Sequence, residues 1–88
     1  MALHAWCDHV VHVHLFSHDD ELGRTCAALL NAHFADRDVD TTGEPGFVEV
    51  RSSTEAPVTA AEVAEALVAV QVRALSVFDR PEWSVAEL

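Results

Sequence analysis

The sequence predicts an α+β fold in which two helices cover one face of an antiparallel sheet. Residues 9–16 and 47–52 alternate apolar and polar side chains with a period of two, as half-buried strands do. Residues 19–35 and 60–78 carry apolar side chains at helical spacing. The chain has 88 residues, of which 50% are hydrophobic, and this is enough for one domain with one modest core.

The first predicted strand, residues 9–16, divides its side chains between two faces. Val11, Val13 and Leu15 fall on the face that we expect to enter the core. The opposite face carries Val10, His12, His14 and Phe16.

The first helix is predicted over residues 19–35. Ser17 is a suitable N-cap, and the acids that follow it suit a helix N-terminus. Gly23 is expected to weaken the first turn slightly. The predicted buried stripe consists of Leu22, Cys26, Leu29, Leu30 and His33.

Two more strands are predicted after this helix. Residues 37–42 alternate in charge and contain one apolar side chain, Val39, which is typical of an edge strand. Residues 42–46 have the composition of a turn, and residues 47–52 form a clear strand. Val48 and Val50 share one face of that strand. Its other face carries Phe47, Glu49 and Arg51.

The second helix begins with the strongest local signal in the chain. Thr59 and Glu62 have the spacing of a capping box, so a helix is predicted from Ala60 to Phe78, ended by Pro81. A third face of this helix, which the core need not cover, is predicted to carry Val68, Val72 and Leu75.

The predicted order is strand, helix, strand, strand, helix, which is the ferredoxin-like split βαβ order. In that order the first and third strands are central and the second and fourth are edges, and the apolar content of the strands agrees. Two interpretations of residues 82–88 stay open, a short final strand or a docked tail. Residues 1–8 are expected to be a flexible N-terminal segment of the single domain.

The chain is strongly acidic, with fifteen acids, five arginines and a formal charge of −10. Such a surface repels nucleic acid and favours basic protein surfaces or metal ions. Lys, Ile and Tyr, whose codons are AT-rich, are absent, which indicates a GC-rich and bacterial genome.

The two cysteines, Cys7 and Cys26, form neither a C-x-x-C motif nor a disulfide framework. No signal peptide and no apolar run of membrane-spanning length are recognisable. We therefore expect a cytoplasmic protein that has no contact with a membrane.

The sequence favours a small non-enzymatic interaction module, since no phosphate-binding loop, nucleophile elbow or H-E-x-x-H motif is present. The expected partner is a second copy in a homodimer, a basic protein surface, or both. Regulatory, inhibitory and accessory roles fit, including a phage-type inhibitor of a basic nucleic-acid-binding target. The candidate partner-binding residues are Val10, His12, His14, Phe16, Phe47, Glu49, Arg51, Val68, Val72 and Trp83.

An alternative function is transition-metal binding or metal sensing. His12 and His14 are two residues apart on a strand, so both side chains point the same way. Glu49 would provide a third ligand for zinc, nickel or copper. A pH switch built on these histidines is a further interpretation.

Overall fold

The computed structural model describes the backbone of residues 3–87 and the side chains of residues 8–80. The elements are β1 (Leu3–Leu15), α1 (Asp20–His33), β2 (Val39–Glu44), β3 (Phe47–Ser53), α2 (Ala60–Ala69) and β4 (Ala74–Glu87). The strands form one antiparallel sheet in the order β2-β3-β1-β4, with β1 and β3 in the centre, as predicted. The fold is therefore α+β, with a four-stranded sheet and two helices. Neither helix in the described part of the chain is long and apolar enough to cross a membrane.

The core lies between both helices and one face of the sheet. The two central strands contribute the residues that the alternation predicted, Val11, Val13, Leu15, Val48 and Val50. The helices contribute Cys26, Ala27, Leu30, Val63, Ala66 and Leu67. Burial of one such valine or leucine side chain stabilises the fold by about 1.5–3 kcal/mol relative to exposure. Three residues of the predicted α1 stripe, Leu22, Leu29 and His33, are instead exposed.

Helix α1 begins at Asp20, one residue later than predicted, and its N-cap differs from the predicted one. Its N-cap is Asp19, whose carboxylate accepts a hydrogen bond from the backbone N–H of Glu21 at 2.9 Å. The Ser17 hydroxyl accepts from the backbone N–H of Asp19 at 3.1 Å. The prediction of Ser17 as the N-cap was therefore wrong, because the next acceptor along the chain reaches the free N–H groups of the first turn.

Gly23 and Gly43 allow α1 to lie directly on β2. A Cβ atom on Gly23 would clash with the backbone carbonyl of Glu44, and a Cβ atom on Gly43 would clash with the backbone carbonyl of Gly23. Gly23 does weaken a helix by its intrinsic propensity. Here it also removes the atom that would hold the helix away from the sheet.

Helix α2 starts as predicted, because the Thr59 hydroxyl accepts a hydrogen bond from the backbone N–H of Glu62 at 3.2 Å. It ends at Ala69, nine residues earlier than predicted. Gln71 adopts a positive φ of 61°, which ends the helical path. The prediction of helix through Phe78 was wrong, since residues from Ala74 onward pair with β1 instead.

The long strand β4 also corrects the predicted role of Pro81. This proline does not end a helix; it lies inside β4 and pairs in register with His9. Proline is tolerated on an edge strand because its missing N–H need not remove a bond of the ladder.

Strand β1 begins at Leu3 and pairs with β4 as far as the register Leu3–Glu87. Residues 3–8, expected to be flexible, are therefore strand backbone. Residues 82–87 are the far part of β4 rather than a separate short strand or a docked tail. The two segments are strand partners of each other. Because this pairing joins the two ends of the chain, sequence patterns within either segment did not indicate it.

The close approach of α1 and β2 leads to a stability prediction. We expect Gly43→Ala to lower the free energy of unfolding by about 1–3 kcal/mol, because the added methyl group overpacks against the backbone of α1. Urea denaturation measures the change. The exposed neighbour Thr42 provides the control, and Thr42→Ser should stay within about 0.5 kcal/mol of the parent. A Gly43→Ala variant as stable as the parent would contradict this packing.

Candidate functional site

The face of the sheet opposite the helices is the candidate site, and we call it the open face. Both helices of the described chain contribute to the core on the other side. The strand register defines the centre of the open face as Val10, His12 and His14 of β1, Phe47, Glu49 and Arg51 of β3, and Ser76, Phe78 and Arg80 of β4.

Four rings form a cluster at the middle of the open face. The imidazole of His12 lies between the phenyl rings of Phe47, at 6.1 Å and 1°, and Phe78, at 5.4 Å and 18°. His14 is tilted against the same two rings, at 6.4 Å and 5.5 Å. Ring pairs at these separations attract one another. We call His12, His14, Phe47 and Phe78 the ring cluster.

The ring cluster is only partly accessible from solvent. The His12 side chain is 14% exposed, whereas Phe78 is 40% exposed and His14 is also exposed. A molecule that docks here would therefore meet mainly His14 and Phe78. Val10, predicted as a contact residue, shares the face but is fully buried, so it is not available to a partner.

A row of polar and charged side chains runs beside the ring cluster. Nε2 of His12 is 3.6 Å from Oε1 of Glu49, and Oε2 of Glu49 is 3.7 Å from Nη2 of Arg51. Arg51 donates a hydrogen bond to Oδ2 of Asp8 at 2.9 Å. The first of these separations is too long for a good hydrogen bond. Nε2 of His12 is thus buried without a hydrogen-bond partner among the described residues.

The predicted metal ligands are only partly brought together. His12 and Glu49 face each other, while His14 lies against the two phenyl rings. Within the described side chains, no group of three or more His, Cys, Asp or Glu residues is placed to hold a metal ion. Stable zinc sites use three or four protein ligands. A metal at the His12–Glu49 pair would need a further ligand.

Phe16 and the predicted second patch lie away from the open face. Phe16 follows the end of β1 and is 62% exposed, with the guanidinium of Arg73 lying 5.6 Å from its ring centre. Together with Val68 and Val72 it lines a groove of about 320 Å³. Because α2 ends at Ala69, the predicted shared helix face of Val68, Val72 and Leu75 does not exist. The Trp83 side chain lies outside the described residues.

The sequence did not indicate two residues that matter here. Phe78 was predicted as the last residue of a helix, yet strand pairing places it opposite His12. Asp79 accepts hydrogen bonds from Nε2 of His9 at 2.6 Å and from the backbone N–H of Ala60 at 2.9 Å. The Asp79 carboxylate thus accepts from one N–H of the first turn of α2, in addition to the Thr59 hydroxyl, which accepts from another. Only the pairing of β1 with β4 reveals either role.

The buried Cys26 belongs to the core rather than to a reactive site. Its side chain is fully buried, and burial raises the pKa of the Cys26 thiol. A thiol kept protonated in this way is a poor nucleophile.

No protein-family model, curated protein or solved structure matches this chain.

The unpartnered imidazole nitrogen leads to a second stability prediction. We expect His12→Phe to raise the free energy of unfolding by about 1 kcal/mol, because an apolar ring removes a buried nitrogen for which the described side chains provide no hydrogen-bond partner. Urea denaturation at about pH 8, where imidazoles are ordinarily neutral, measures the gain. The exposed His14 is the control, and His14→Phe should change stability by less than about 0.5 kcal/mol. A loss of stability in His12→Phe would show that Nε2 is satisfied in solution.

Proposed function

We propose that this protein is a small, acidic, non-enzymatic interaction module that binds another protein through the open face. The observation that carries the proposal is the ring cluster at the centre of a sheet face on which neither helix packs. Its role would be regulatory, inhibitory or accessory. It would act in the cytoplasm, because its cysteines lack the pattern of a secreted disulfide scaffold.

The chemistry of the ring cluster supports a protein partner. Contiguous exposed apolar surface on a small protein commonly marks a binding site. Aromatic residues, phenylalanine among them, are enriched in the buried cores of protein interfaces. The rings on this face pack against one another already, so little side-chain freedom would be lost on docking.

The charges around the ring cluster support a basic partner. The described charged side chains on this face comprise the acids Asp8, Asp40, Glu44 and Glu49 and the bases Arg51 and Arg80. This acidic excess, on a chain of formal charge −10, would steer the protein toward cationic surfaces. A basic nucleic-acid-binding protein is one such target, and occupation of its binding surface would inhibit it.

We also propose that the topology is the ferredoxin-like split βαβ order. The central positions of β1 and β3, the edge positions of β2 and β4, and the contribution of both helices to one core support this assignment. In that arrangement no helix covers the second face of the sheet, so a further element is free to pack against it.

Site-specific photocrosslinking tests the proposed binding face. A photoreactive residue in place of His14 should capture a partner from source-cell lysate, whereas the same residue in place of Glu65, exposed on α2, should not. The captured protein is then purified and titrated. Phe47→Ala should weaken its binding at least tenfold, and Glu65→Ala should leave it within about twofold.

Salt dependence tests the charge of the partner in the same titration. Binding should weaken steeply as salt rises from about 0.1 M to about 1 M, because the screening length falls from about 10 Å to about 3 Å. Equal capture from positions 14 and 65, or an affinity that neither salt nor Phe47→Ala changes, would contradict the proposal.

Transition-metal binding is a second candidate function, supported by one observation. Nε2 of His12 is buried, has no hydrogen-bond partner among residues 8–80, and lies 3.6 Å from a carboxylate oxygen of Glu49. Such a nitrogen and oxygen are an incomplete ligand pair for zinc, nickel or copper, and His14 or a partner would have to complete it.

Calorimetric titration of chelator-free protein with zinc chloride decides between the two candidates. A metal site predicts near-stoichiometric binding that is lost in a variant with both His12→Ala and His14→Ala. The variant His18→Ala, which removes an exposed imidazole outside the strand, is the matched control. Binding that the double variant retains would exclude the metal site and leave the protein-binding proposal standing.

A further inference from the structure

Strand β4 has one side with no strand beside it. It is the last strand in the order β2-β3-β1-β4 and pairs with β1 from Ala74 to Glu87. Within residues 3–87, no strand pairs with its other side. The register skips Leu75 and Pro81 has no N–H to donate, so residues 76–80 are the regular stretch of this edge. The outward N–H and C=O groups of such a stretch are a template for another strand.

The charges of the two sheet edges differ in a way that favours β4. The opposite edge, β2, has the sequence VDTTGE and exposes Asp40 and Glu44. A second copy would be repelled there, since like charges on an edge discourage pairing. Residues 74–80 of β4 contain one acid, Asp79, and one base, Arg80. This neutral stretch is where two chains of formal charge −10 would repel each other least.

One hydrogen bond shows toward which neighbouring strand each residue of β1 directs its backbone N–H and C=O groups. The N–H of Leu15 donates to the carbonyl of Gly46 at 2.8 Å, so the backbone groups of Leu15 point toward β3. Successive residues of an antiparallel strand point their backbone groups to alternate sides. The backbone groups of His12 and His14 therefore point toward β4.

The same alternation identifies which groups of β4 are free. Phe78 and Ser76 are the register partners of His12 and His14, so their N–H and C=O groups are used by β1. Those of Val77 and Asp79 point outward. Pro81 also falls in the outward set, where it has no N–H to offer a further strand, so regular pairing along this edge is expected to end before it.

We propose that a second copy of this chain pairs with β4, antiparallel, about a two-fold axis through Phe78. The two sheets then join into one continuous sheet. Val77 of one copy faces Asp79 of the other as a hydrogen-bonded pair. The two Phe78 residues face each other as a non-hydrogen-bonded pair, with Cα atoms about 4.5 Å apart and their side chains in contact.

This register is the one that the side chains favour. It places Ser76 opposite Arg80 and sets no like charges against each other. A register centred on Asp79 would oppose two carboxylates, and one centred on Val77 would set Phe78 against Ser76. With Phe78 on the axis, the row of Phe47, His12 and Phe78 in one copy continues into the same row of the other.

The pairing goes beyond the proposed function and does not require it. It uses the edge of the sheet, where Phe78 is the one member of the ring cluster that takes part, and it leaves His14 and Phe47 uncovered in both copies. The dimer would therefore present two open faces side by side to a basic partner. Salt separates the two interactions, because screening weakens binding to a basic protein and relieves repulsion between two acidic copies.

Cysteine crosslinking tests the register directly. In a Cys7→Ser background, Phe78→Cys should form an interchain disulfide with oxidised glutathione, since a Cα separation of about 4.5 Å is within the range for disulfides. Ser76→Cys and Arg80→Cys are the matched controls. Each lies two residues from the axis, so its two copies would be about 14 Å apart, which is too far to be linked.

Sedimentation equilibrium tests the association without a crosslink. The parent should be a dimer that tightens as salt rises, and Phe78→Asp should be a monomer because two carboxylates would meet on the axis. Phe47→Asp removes the other ring beside His12 and should remain a dimer.

A parent that is monomeric at all concentrations, or stronger linking at position 76 or 80 than at position 78, would overturn the proposal. Linking through Phe47→Cys would do so too, by showing that the open faces pack against each other. If Phe78→Asp fails to fold, the cysteine series still decides.

Discussion

The hydrogen bonding of β1 on both of its sides is the constraint on which the rest of this structure depends. Flanked by β3 and β4, the strand must send alternate side chains to opposite faces of the sheet. Val11 and Val13 enter the core, so His12 and His14 have to lie on the other face. A shift of one residue would bury the imidazoles and expose the valines. The position of the ring cluster is thus a consequence of the core.

The helices complete this division because of how they pack. Gly23 and Gly43 bring α1 directly onto β2, and α2 shares the same core. The early end of α2 at Ala69 releases the following residues to form β4. That strand covers the second side of β1 and supplies Phe78, the ring without which His12 would have a stacking partner on one side only.

The charges of the chain sort its surfaces into two kinds. The open face carries more acids than bases, and residues 74–80 of β4 contain one acid and one base. The two proposed interactions therefore differ in electrostatic character: a basic protein would be attracted to the open face, whereas two like chains would pair at the edge. Nε2 of His12 is buried at the centre of this face without a hydrogen-bond partner among the described side chains, which lowers the stability of the fold locally.

Local patterns in the sequence determined much of this protein. Alternation predicted the core valines of β1 and β3 and placed His12 beside Glu49, and the capping box at Thr59 predicted the start of α2. The end of α2 was decided only by tertiary structure. Residues 70–78 have apolar side chains that suit a helix face and β-branched or aromatic residues that suit a strand. These residues form a strand because they pair with the side of β1 that β3 leaves free, and β1 is more than fifty residues away in the chain. No local pattern encodes that hydrogen-bonding surface, so Phe78 and Asp79 received their roles from the assembled sheet alone.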